Sequence, residues 1–417
     1  MDVDRLSRAQ LRPGRPDWMA WLIVLVGFVT LSVSFSTRAV LGLAMPEIEK
    51  ELGWTRTLVS DGQAWALIVM ALMAPVAGNL VDRFVARMLL GLGLGAIGLG
   101  MFVTAGMHAT WQFYLAYSGL AAAGFGMVAT HVVSTIVSHR FEQHRGLAVG
   151  IATSGSTAGQ LLVVPLVADL METTSWRASY VGLAIACLVL VPVTLFLLRG
   201  SRGGGMGRRH VNDRFFTRFS GILGSWVFQA LFWSFFICGF TTAGVIETHL
   251  LPYAAFCGIP KLESAAAYGL LSAVNLGGMI LAGWLTDRMN RPLLLAIIYI
   301  GRSFTFILLA YIGQDLTLLL VFAVIFGLFD YSTLPPTASL VASHLGLRVM
   351  GLTMGLLSAG HSLGGAVGVF LAGRLFDMFG RYDWIWFASV GLAIVAGLLA
   401  LSIRENREDN LVPATAH

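Results

Sequence analysis

Charged side chains are scarce in this sequence: Asp, Glu, Lys and Arg together make up 12% of its 417 residues, against about 25% in soluble proteins. Cysteine is also rare, and Cys187, Cys238 and Cys257 lack the spacing of a metal or redox site. We find no nucleophile–base pair either, which argues against an enzyme, and we predict no cofactor. No large soluble output domain is found, which argues against a membrane sensor.

Apolar residues, by contrast, make up 57% of the chain, in continuous windows long enough to cross a bilayer as helices of about 20 residues. Strands of a membrane barrel would alternate over about ten residues. We therefore predict an all-α membrane protein with twelve transmembrane helices. No signal-type segment with a cleavage site precedes the first window, so we expect that window to be a retained span. The predicted spans are 18–45, 59–81, 88–106, 111–137, 146–171, 178–198, 220–251, 265–286, 292–312, 316–342, 350–373 and 383–403.

Basic residues are distributed unequally between the connecting segments. With the N-terminus inside, nineteen of the 27 lysines and arginines fall in cytoplasmic segments, six in outer loops, and Arg38 and Arg302 within spans. Cytoplasmic loops of membrane proteins carry the excess of basic residues. We therefore expect both termini to be cytoplasmic and the protein to lie in the cell (inner) membrane.

The chain repeats itself at an offset of 205 residues. This predicts two pseudo-symmetric six-helix bundles in the same orientation, residues 1–198 and 220–417. Residues 199–219 between them are basic and rich in glycine, and we interpret them as a flexible cytoplasmic linker. A regulatory or lipid-binding element is the alternative. The matched pairs include Phe35 with Phe240, Gly78 with Gly283, Asp82 with Asp287, Arg83 with Arg288, His139 with His344, and Gly146 with Gly351.

Two parallel six-helix repeats joined by a cytoplasmic loop resemble the major facilitator superfamily, and a repeated loop motif agrees. The segment Gly78-Asn-Leu-Val-Asp82-Arg83-Phe-Val-Ala-Arg87 is similar to that family's G-x-x-x-D-R-x-G-x-R/K loop between helices 2 and 3, with Val85 where glycine is usual. Gly283-Trp-Leu-Thr-Asp287-Arg288-Met-Asn-Arg291 is the second copy. The resemblance implies a gate, in which carboxylates bind helix N-termini across the interface in one state and release them in another. A solvated turn is the alternative. The gating candidates are Asp82, Arg83, Arg87, Asp287, Arg288 and Arg291.

Within that superfamily the chain resembles bacterial monocarboxylate-porter-like and oxalate/formate-exchanger-like members. Monocarboxylate porters often carry an Asp and an Arg in helix 8, where this chain offers only Asn275. Helix 4, with Tyr117, lacks the arginine of many proton-coupled sugar and drug carriers. The segments that carry the resemblance are 36–49, 139–150, 238–253 and 360–364.

Arg38 lies inside the first apolar run, seven residues before Met45. An arginine at mid-membrane costs about 2.5 to 3.5 kcal/mol on insertion scales, so such a residue usually faces a wet cavity or a partner. Ser34, Ser36 and Thr37 make the same half of the helix polar. We therefore predict that Arg38 lines a cavity; an arginine that reaches the headgroups is the alternative.

The resemblance implies that helices 1, 4, 7 and 10 line the central cavity, which would bring Glu247 of helix 7 near Arg38. We hypothesise that a substrate carboxylate and Glu247 compete for Arg38, because an arginine fork matches either one. Displaced Glu247 would then accept a proton, which would make the cycle a proton–anion symport. A fixed ion pair, or an acid open to outer water, is the alternative.

Arg302 in helix 9 and Asp330 in helix 10 both lie near mid-depth. We interpret them as a neutralising structural pair, with a proton relay through Asp330 as the alternative. Pro335 and Pro336 follow and predict a break in helix 10.

His249 and His361 are candidate anion ligands, although a buried histidine can also be a hydrogen-bonded core residue. His131 lies towards one end of the predicted cavity, and Tyr117 and Asn275 are further lining candidates.

The basic or near-basic groups of the membrane zone, with few acids, favour an anionic substrate. We expect a secondary transporter of small organic anions, with monocarboxylates as the preferred class, that works by alternating access. A polyspecific efflux carrier and an anion exchanger without proton coupling are the alternatives. The expected partners are the organic anion, a proton or counter-anion and the lipid bilayer. No nucleic acid is expected, and we expect a monomer.

Overall fold

The hydrocarbon core of a membrane offers no water to hydrogen-bond backbone N–H and C=O groups. Apolar runs of this length therefore fold as helices, in which these groups bond to one another. The computed structural model describes residues 17–54, 56–83, 86–141, 143–199 and 215–405. Within those ranges the regular structure is helical and no strand is found. Twelve of the described helices are long and apolar enough to cross a membrane. The predicted fold class, an all-α protein with twelve membrane-spanning helices, is confirmed.

We number the spanning helices α1 to α12. A short helix, Phe215–Gly224, precedes α7, whereas we predicted a single span from residue 220. The first six are α1 (Asp17–Leu52), α2 (Arg56–Arg83), α3 (Ala86–Ala105), α4 (Thr110–Ser138), α5 (Arg145–Thr173) and α6 (Trp176–Leu197). The second six are α7 (Trp226–Ala254), α8 (Lys261–Thr286), α9 (Arg291–Ala310), α10 (Leu316–His344), α11 (Met350–Phe379) and α12 (Asp383–Leu401).

Three spans are not continuous α-helices. α4 contains a π-helical segment, Tyr114–Ala121, and is broken again before a final half-helix, Thr130–Ser138. α7 contains a π-helical segment, Phe240–Ile246. α10 is interrupted by a 3-10 turn, Tyr331–Thr333, and resumes as Leu334–His344 with two prolines in its first turn. The predicted break in α10 is confirmed; the break in α4 was not predicted.

The two sets of six helices pack in the same pattern. α1 packs on α5 and α3 on α6 in the first set, and α7 packs on α11 and α9 on α12 in the second. This correspondence agrees with the repeat in the sequence. The domain boundaries at 198 and 220 stay a prediction, because residues 200–214 of the linker lie outside the described residues.

The two bundles meet on the side where α6 ends and α7 begins, which we name the linker face; the other side is the opposite face. There α2 packs on α11 and α5 packs on α8. A Cβ atom on Gly78 would lie 1.9 Å from the backbone oxygen of Gly351, so this approach requires glycine. Such contacts close the linker face of the molecule in this state.

Candidate substrate cavity

A cavity of about 350 Å³ lies between the two bundles. It is lined by α1, α2 and α4 of the first bundle and by α7, α10 and α11 of the second. Most of the lining is apolar, which makes the few ionisable side chains conspicuous. Those that line the cavity include Arg38, His131, Cys238, Glu247, Asp330, Tyr331 and His361.

Arg38 lies on the cavity wall, half-buried, as the polar pattern of its helix predicted. Its guanidinium carbon is 4.8 Å from the centroid of the Phe35 ring, a cation–π distance. Among the described residues, no carboxylate forms a salt bridge with Arg38 within 4.0 Å. The cavity therefore contains an arginine whose charge is not neutralised by a directly bonded acid.

Glu247 faces the same cavity from α7. Its Oε1 accepts a hydrogen bond of 2.6 Å from the Oη of Tyr331 on α10. Arg38 and Glu247 share the cavity but form no salt bridge in this state. A short bond from a hydroxyl to a carboxylate is strong and holds that carboxylate in place.

Arg302 is fully buried and fills the break in α10. Its Nη2 donates to the backbone oxygens of Phe329, at 2.7 Å, and of Asp330. Its Nη1 donates to Cys238 Sγ at 3.1 Å and to Thr242 Oγ1 at 2.9 Å on α7. The guanidinium thus satisfies carbonyls that the helix break leaves without intrahelical donors. Arg302 and Asp330 meet through the Asp330 backbone, and no salt bridge joins their side chains.

Asn275 of α8 holds the same break from the other side. Its Nδ2 donates to Asp330 Oδ2 at 3.0 Å, and its Oδ1 accepts from the backbone N–H of Tyr331 at 3.3 Å. Asp330 Oδ1 has no hydrogen-bond partner among the described residues. Asn275 is buried and lies outside the cavity lining, so it can position Asp330 and Tyr331 and does not face the cavity itself.

The two candidate histidines are placed differently. His361 of α11 lines the cavity, with its ring 6.0 Å from that of Phe235. His249 lies outside the lining: its Nε2 is 3.4 Å from the backbone oxygen of Val369, and its ring is 5.8 Å from that of Tyr382. The structure therefore groups His361, and not His249, with Arg38.

Tyr117 is fully buried behind the cavity wall. Its Oη donates to Gln63 Oε1 at 2.9 Å and contacts the backbone oxygen of Arg38 at 3.4 Å. Gln63 itself lines the cavity. Tyr117 thus supports the wall that carries Arg38.

Two residues that line the cavity, Tyr331 and His131, were not predicted as site residues from the sequence. Tyr331 was not singled out, although a tyrosine directly after a buried aspartate in a broken helix is a usable signal. His131 was noted only for its position, yet both its ring nitrogens lack hydrogen-bond partners among the described residues, and the residue is 2% exposed.

Two aspartates of the repeated motif bind helix N-termini across the linker face. Asp82 accepts hydrogen bonds from the backbone N–H groups of Gly351, at 2.8 Å, and Leu352, at 3.0 Å, in the first turn of α11. Carboxylates are favoured at helix N-termini by the free N–H groups and the helix dipole. The pseudo-symmetric contacts are from Gly146 N, at 2.8 Å, and Leu147 N, at 2.9 Å, to Asp287.

The basic residues of the motif make other contacts. The Arg288 guanidinium stacks on Trp284 of its own helix at 4.0 Å. Arg291 forms a salt bridge with Glu405 and donates to Ser339 Oγ at 3.2 Å, which ties α9 to α10 and to the segment after α12. Arg87 is half-buried, and the side chain of Arg83 lies outside the described part of the structure.

Comparison with known families decides the class of protein. The model of the Major Facilitator Superfamily matches residues 26–350 and 279–416. The chain belongs to the Major Facilitator Superfamily. As a member of that superfamily it is a multi-pass membrane transporter and not an enzyme, as the sequence resemblance implied.

Relatives within the Major Facilitator Superfamily are distant. The chain is 26% identical to the uncharacterized MFS-type transporter YcxA of Bacillus subtilis, over 86% of this chain and 89% of that protein. It is 26% identical to human monocarboxylate transporter 11, over 94% of this chain and 84% of that protein.

Solved structures show the same superfamily fold at low identity. The proton:xylose symporter XylE is similar with a TM-score of 0.75 and 14% identity, over 93% of this chain and 96% of that chain. The human organic anion transporter MFSD10 is similar with a TM-score of 0.69 and 14% identity, over 93% of this chain and all of that chain (100%).

Proposed function

We propose that this protein transports small organic anions, with monocarboxylates as the preferred class, and that Arg38 binds the substrate carboxylate. The observation that carries the proposal is the guanidinium of Arg38 on the cavity wall, with no salt-bridged acid among the residues that the structure describes. A guanidinium offers several N–H donors in a fork that matches a carboxylate. A cavity of about 350 Å³ falls in the range typical of small-molecule sites.

The relatives support the anionic class. Several are monocarboxylate transporters by name, including human transporters 11 and 12 at 26% and 24% identity. At that distance a shared substrate does not follow from identity alone, so the proposal rests on the cavity. His361 is a second cavity-lining group that can donate to an anion.

We further propose that Glu247 couples transport to protons. It lies in the same cavity as Arg38 and can therefore respond to the charge of the cargo. When a carboxylate binds Arg38, the added negative charge favours the neutral, protonated form of a nearby acid. The loaded carrier would then move one anion with one proton. An exchanger that swaps anions needs no such step and is the alternative.

The gate proposed from the motif is the pair of aspartates at the linker face. Asp82 and Asp287 would hold α11 and α5 while that face is closed and release them when it opens. We also propose that the linker face is cytoplasmic, that the protein lies in the inner membrane, and that it works as a monomer of two bundles. The excess of basic residues on the linker side supports this orientation.

The test is counterflow in proteoliposomes that contain the purified protein. Labelled lactate, pyruvate, acetate, formate and oxalate are compared, each with and without an inward proton gradient. Saturable uptake of at least one carboxylate, accumulated further by the gradient, is the expected result. Exchange without gradient-driven accumulation would favour the anion exchanger. If no carboxylate is taken up and lipophilic cations are expelled instead, the protein is an efflux carrier and the proposal fails.

A further inference from the structure

The break in α4 creates a helix N-terminus inside the cavity. Val128 leaves the helix, Ala129 is extended (φ −119°, ψ 162°), and the half-helix Thr130–Ser138 runs from the cavity towards the linker face. Alanine at the N-cap has no side-chain oxygen to offer, and no side chain caps this helix. Ala129, Thr130 and His131 all line the cavity.

Two of the first four backbone donors of this half-helix lack an acceptor in the described part of the structure. The N–H groups of Val132 and Val133 bond back to the oxygen of Ala129, each at 3.1 Å. The N–H groups of Thr130 and His131 have no acceptor among the described residues. Free N–H groups and the positive end of the helix dipole together attract an anionic or strongly polar oxygen.

His131 is an independent sign of a ligand at the same place. It is 2% exposed and lines the cavity; its ring interacts with the backbone of Ala74, and neither Nδ1 nor Nε2 makes a hydrogen bond of ordinary geometry among the described residues. Buried polar groups are nearly always bonded, and an exception requires an explanation. A ligand oxygen that accepts a hydrogen bond from the ring N–H of His131 would be such an explanation.

The second repeat differs from the first at the corresponding place. At the offset of 205, Thr130 and His131 correspond to Pro335 and Pro336, which have no N–H to donate. The carbonyls at the break in α10 are bonded by Arg302, whose counterpart is Ile97. The N–H groups of Thr130 and His131 therefore have no counterpart at the same two positions of the second repeat, and both residues line the cavity.

A hydrogen bond between α1 and α4 sets the depth of this helix N-terminus relative to Arg38. Ser34 Oγ donates to the backbone oxygen of Val128 at 3.1 Å, so these two residues lie at one level. Arg38 is four residues from Ser34 towards the opposite face, and His131 is three residues from Val128 towards the linker face. At 1.5 Å per helical residue Arg38 lies about 6 Å from that level on one side, and His131 lies on the other side, beyond the extended Ala129.

We propose that the N–H groups of Thr130 and His131, with the His131 imidazole, form a second subsite at the floor of the cavity. It binds an oxygen at the end of the substrate remote from the carboxylate on Arg38. This inference rests on the proposed transport of small organic anions through Arg38, and it changes the preferred class from simple monocarboxylates to organic anions with a second acceptor, such as a distal carboxylate, several bonds from the first.

The test compares two acids of equal length, hexanoate and adipate, which differ by the second carboxylate. Their affinities for the purified protein are measured by tryptophan fluorescence. A hydrogen bond to a charged group contributes enough to change affinity roughly tenfold, so adipate should bind about tenfold more tightly than hexanoate. If the parent binds the two acids equally, or prefers hexanoate, the inference is overturned.

Thr130→Pro copies the second repeat and removes one N–H. The change suits the fold, since proline is accepted in the first turn of a helix and Ala129 is already extended before it. We expect the preference for adipate to fall to near unity with hexanoate affinity unchanged. Thr130→Ala keeps the N–H and removes only the hydroxyl. An equal loss in Thr130→Ala would assign the contact to the hydroxyl and overturn the role of the helix N-terminus.

His131→Leu gives an independent readout if the proline variant does not fold. Leucine fills a similar volume without a donor, so the adipate preference should fall while hexanoate still binds. An unchanged preference overturns the role of His131. Arg38→Gln separates the two proposals, because it should weaken both acids equally. Tight hexanoate binding by Arg38→Gln would contradict the proposed function; in that variant a retained preference for adipate would support the floor subsite, and equal binding of the two acids would overturn it.

Discussion

Tyr331 donates a 2.6 Å hydrogen bond to the Oε1 of Glu247, from α10 to α7, on the wall of the central cavity. The bond fixes the carboxylate in the cavity that Arg38 also lines. Both residues therefore belong to one electrostatic unit, and their roles can be separated by substitution.

Glu247→Gln removes the ionisable group but keeps its size. If Glu247 carries the coupled proton, this variant should retain anion exchange and lose accumulation driven by a pH gradient. Both are measured in the same proteoliposomes. A variant that accumulates substrate like the parent would exclude Glu247 as the proton site.

Tyr331→Phe keeps the carboxylate and removes its donor. A hydrogen bond to a charged group is typically worth about 1.5–3 kcal/mol, so we expect gradient-driven uptake to slow by about tenfold or more. Anion exchange should change less, because the proposed bond between the substrate carboxylate and Arg38 is untouched. Equal slowing of exchange and of gradient-driven uptake would indicate a structural role for the Tyr331–Glu247 bond.

Asp82→Asn and Asp287→Asn test the linker-face gate. An amide oxygen can still accept, but the charge that favours a helix N-terminus is lost, at a cost of about 0.3–1 kcal/mol for each. The double variant should therefore populate the open linker face more often. The measurement is the spin-label distance between the two bundles at that face. Arg288→Gln is the matched comparison, since Arg288 stacks on Trp284 within its own bundle and should move the distances less. Unchanged distances in the double variant would refute the gate.

Arg302→Leu tests whether the buried network around α10 is structural. The change leaves the buried backbone oxygens of Phe329 and Asp330 without their donor, and each buried polar group left without a partner typically costs about 1–3 kcal/mol. We expect a clear loss of thermal stability in detergent. Asp330→Asn should be milder, and it should keep gradient-driven accumulation. A well-folded Asp330→Asn that loses accumulation would favour the proton relay.

Glu51 lies at the end of α1, beyond the membrane span Trp18–Met45, and gives a pH dependence of stability. The hydrogen bond from Arg177, at 2.8 Å, lowers the pKa of Glu51 below its ordinary 4.5, and Trp176 Nε1 contributes a second bond of 2.6 Å. Because the folded pKa is lowered, the stabilisation is complete above the ordinary pKa and is lost as the pH falls through the folded value. The pair is partly exposed, so the effect is small, about 0–1 kcal/mol. Glu51→Gln should reduce the acid sensitivity of the melting temperature between pH 6 and 3, as scanned in detergent; identical profiles would contradict this.

The fold could be predicted from the sequence because each span is a long apolar run and because matched residues recur at an offset of 205. Arg38 could be placed on a cavity wall because a guanidinium in lipid is costly and its helix carries polar neighbours. The break in α10 could be predicted because Pro335 and Pro336 cannot continue a helix without losing donors.

Contacts between helices could not be read in the same way. Nothing local in the sequence shows that Tyr331 bonds Glu247, or that Arg302 reaches backbone oxygens instead of the Asp330 carboxylate. Those partners depend on how α7, α9 and α10 are rotated against one another. The break in α4 has no proline, so its free N–H groups became visible only in the structure.

The most direct test of the account is the affinity of Arg38→Gln for the carboxylate that the parent transports best, measured with the purified protein. Losing one partner of a buried, hydrogen-bonded charge pair typically costs about 2–5 kcal/mol, so affinity should fall by at least about 30-fold. Arg38→Lys should recover part of it, since the charge remains but the fork is lost. Parent-like affinity in Arg38→Gln would contradict the account.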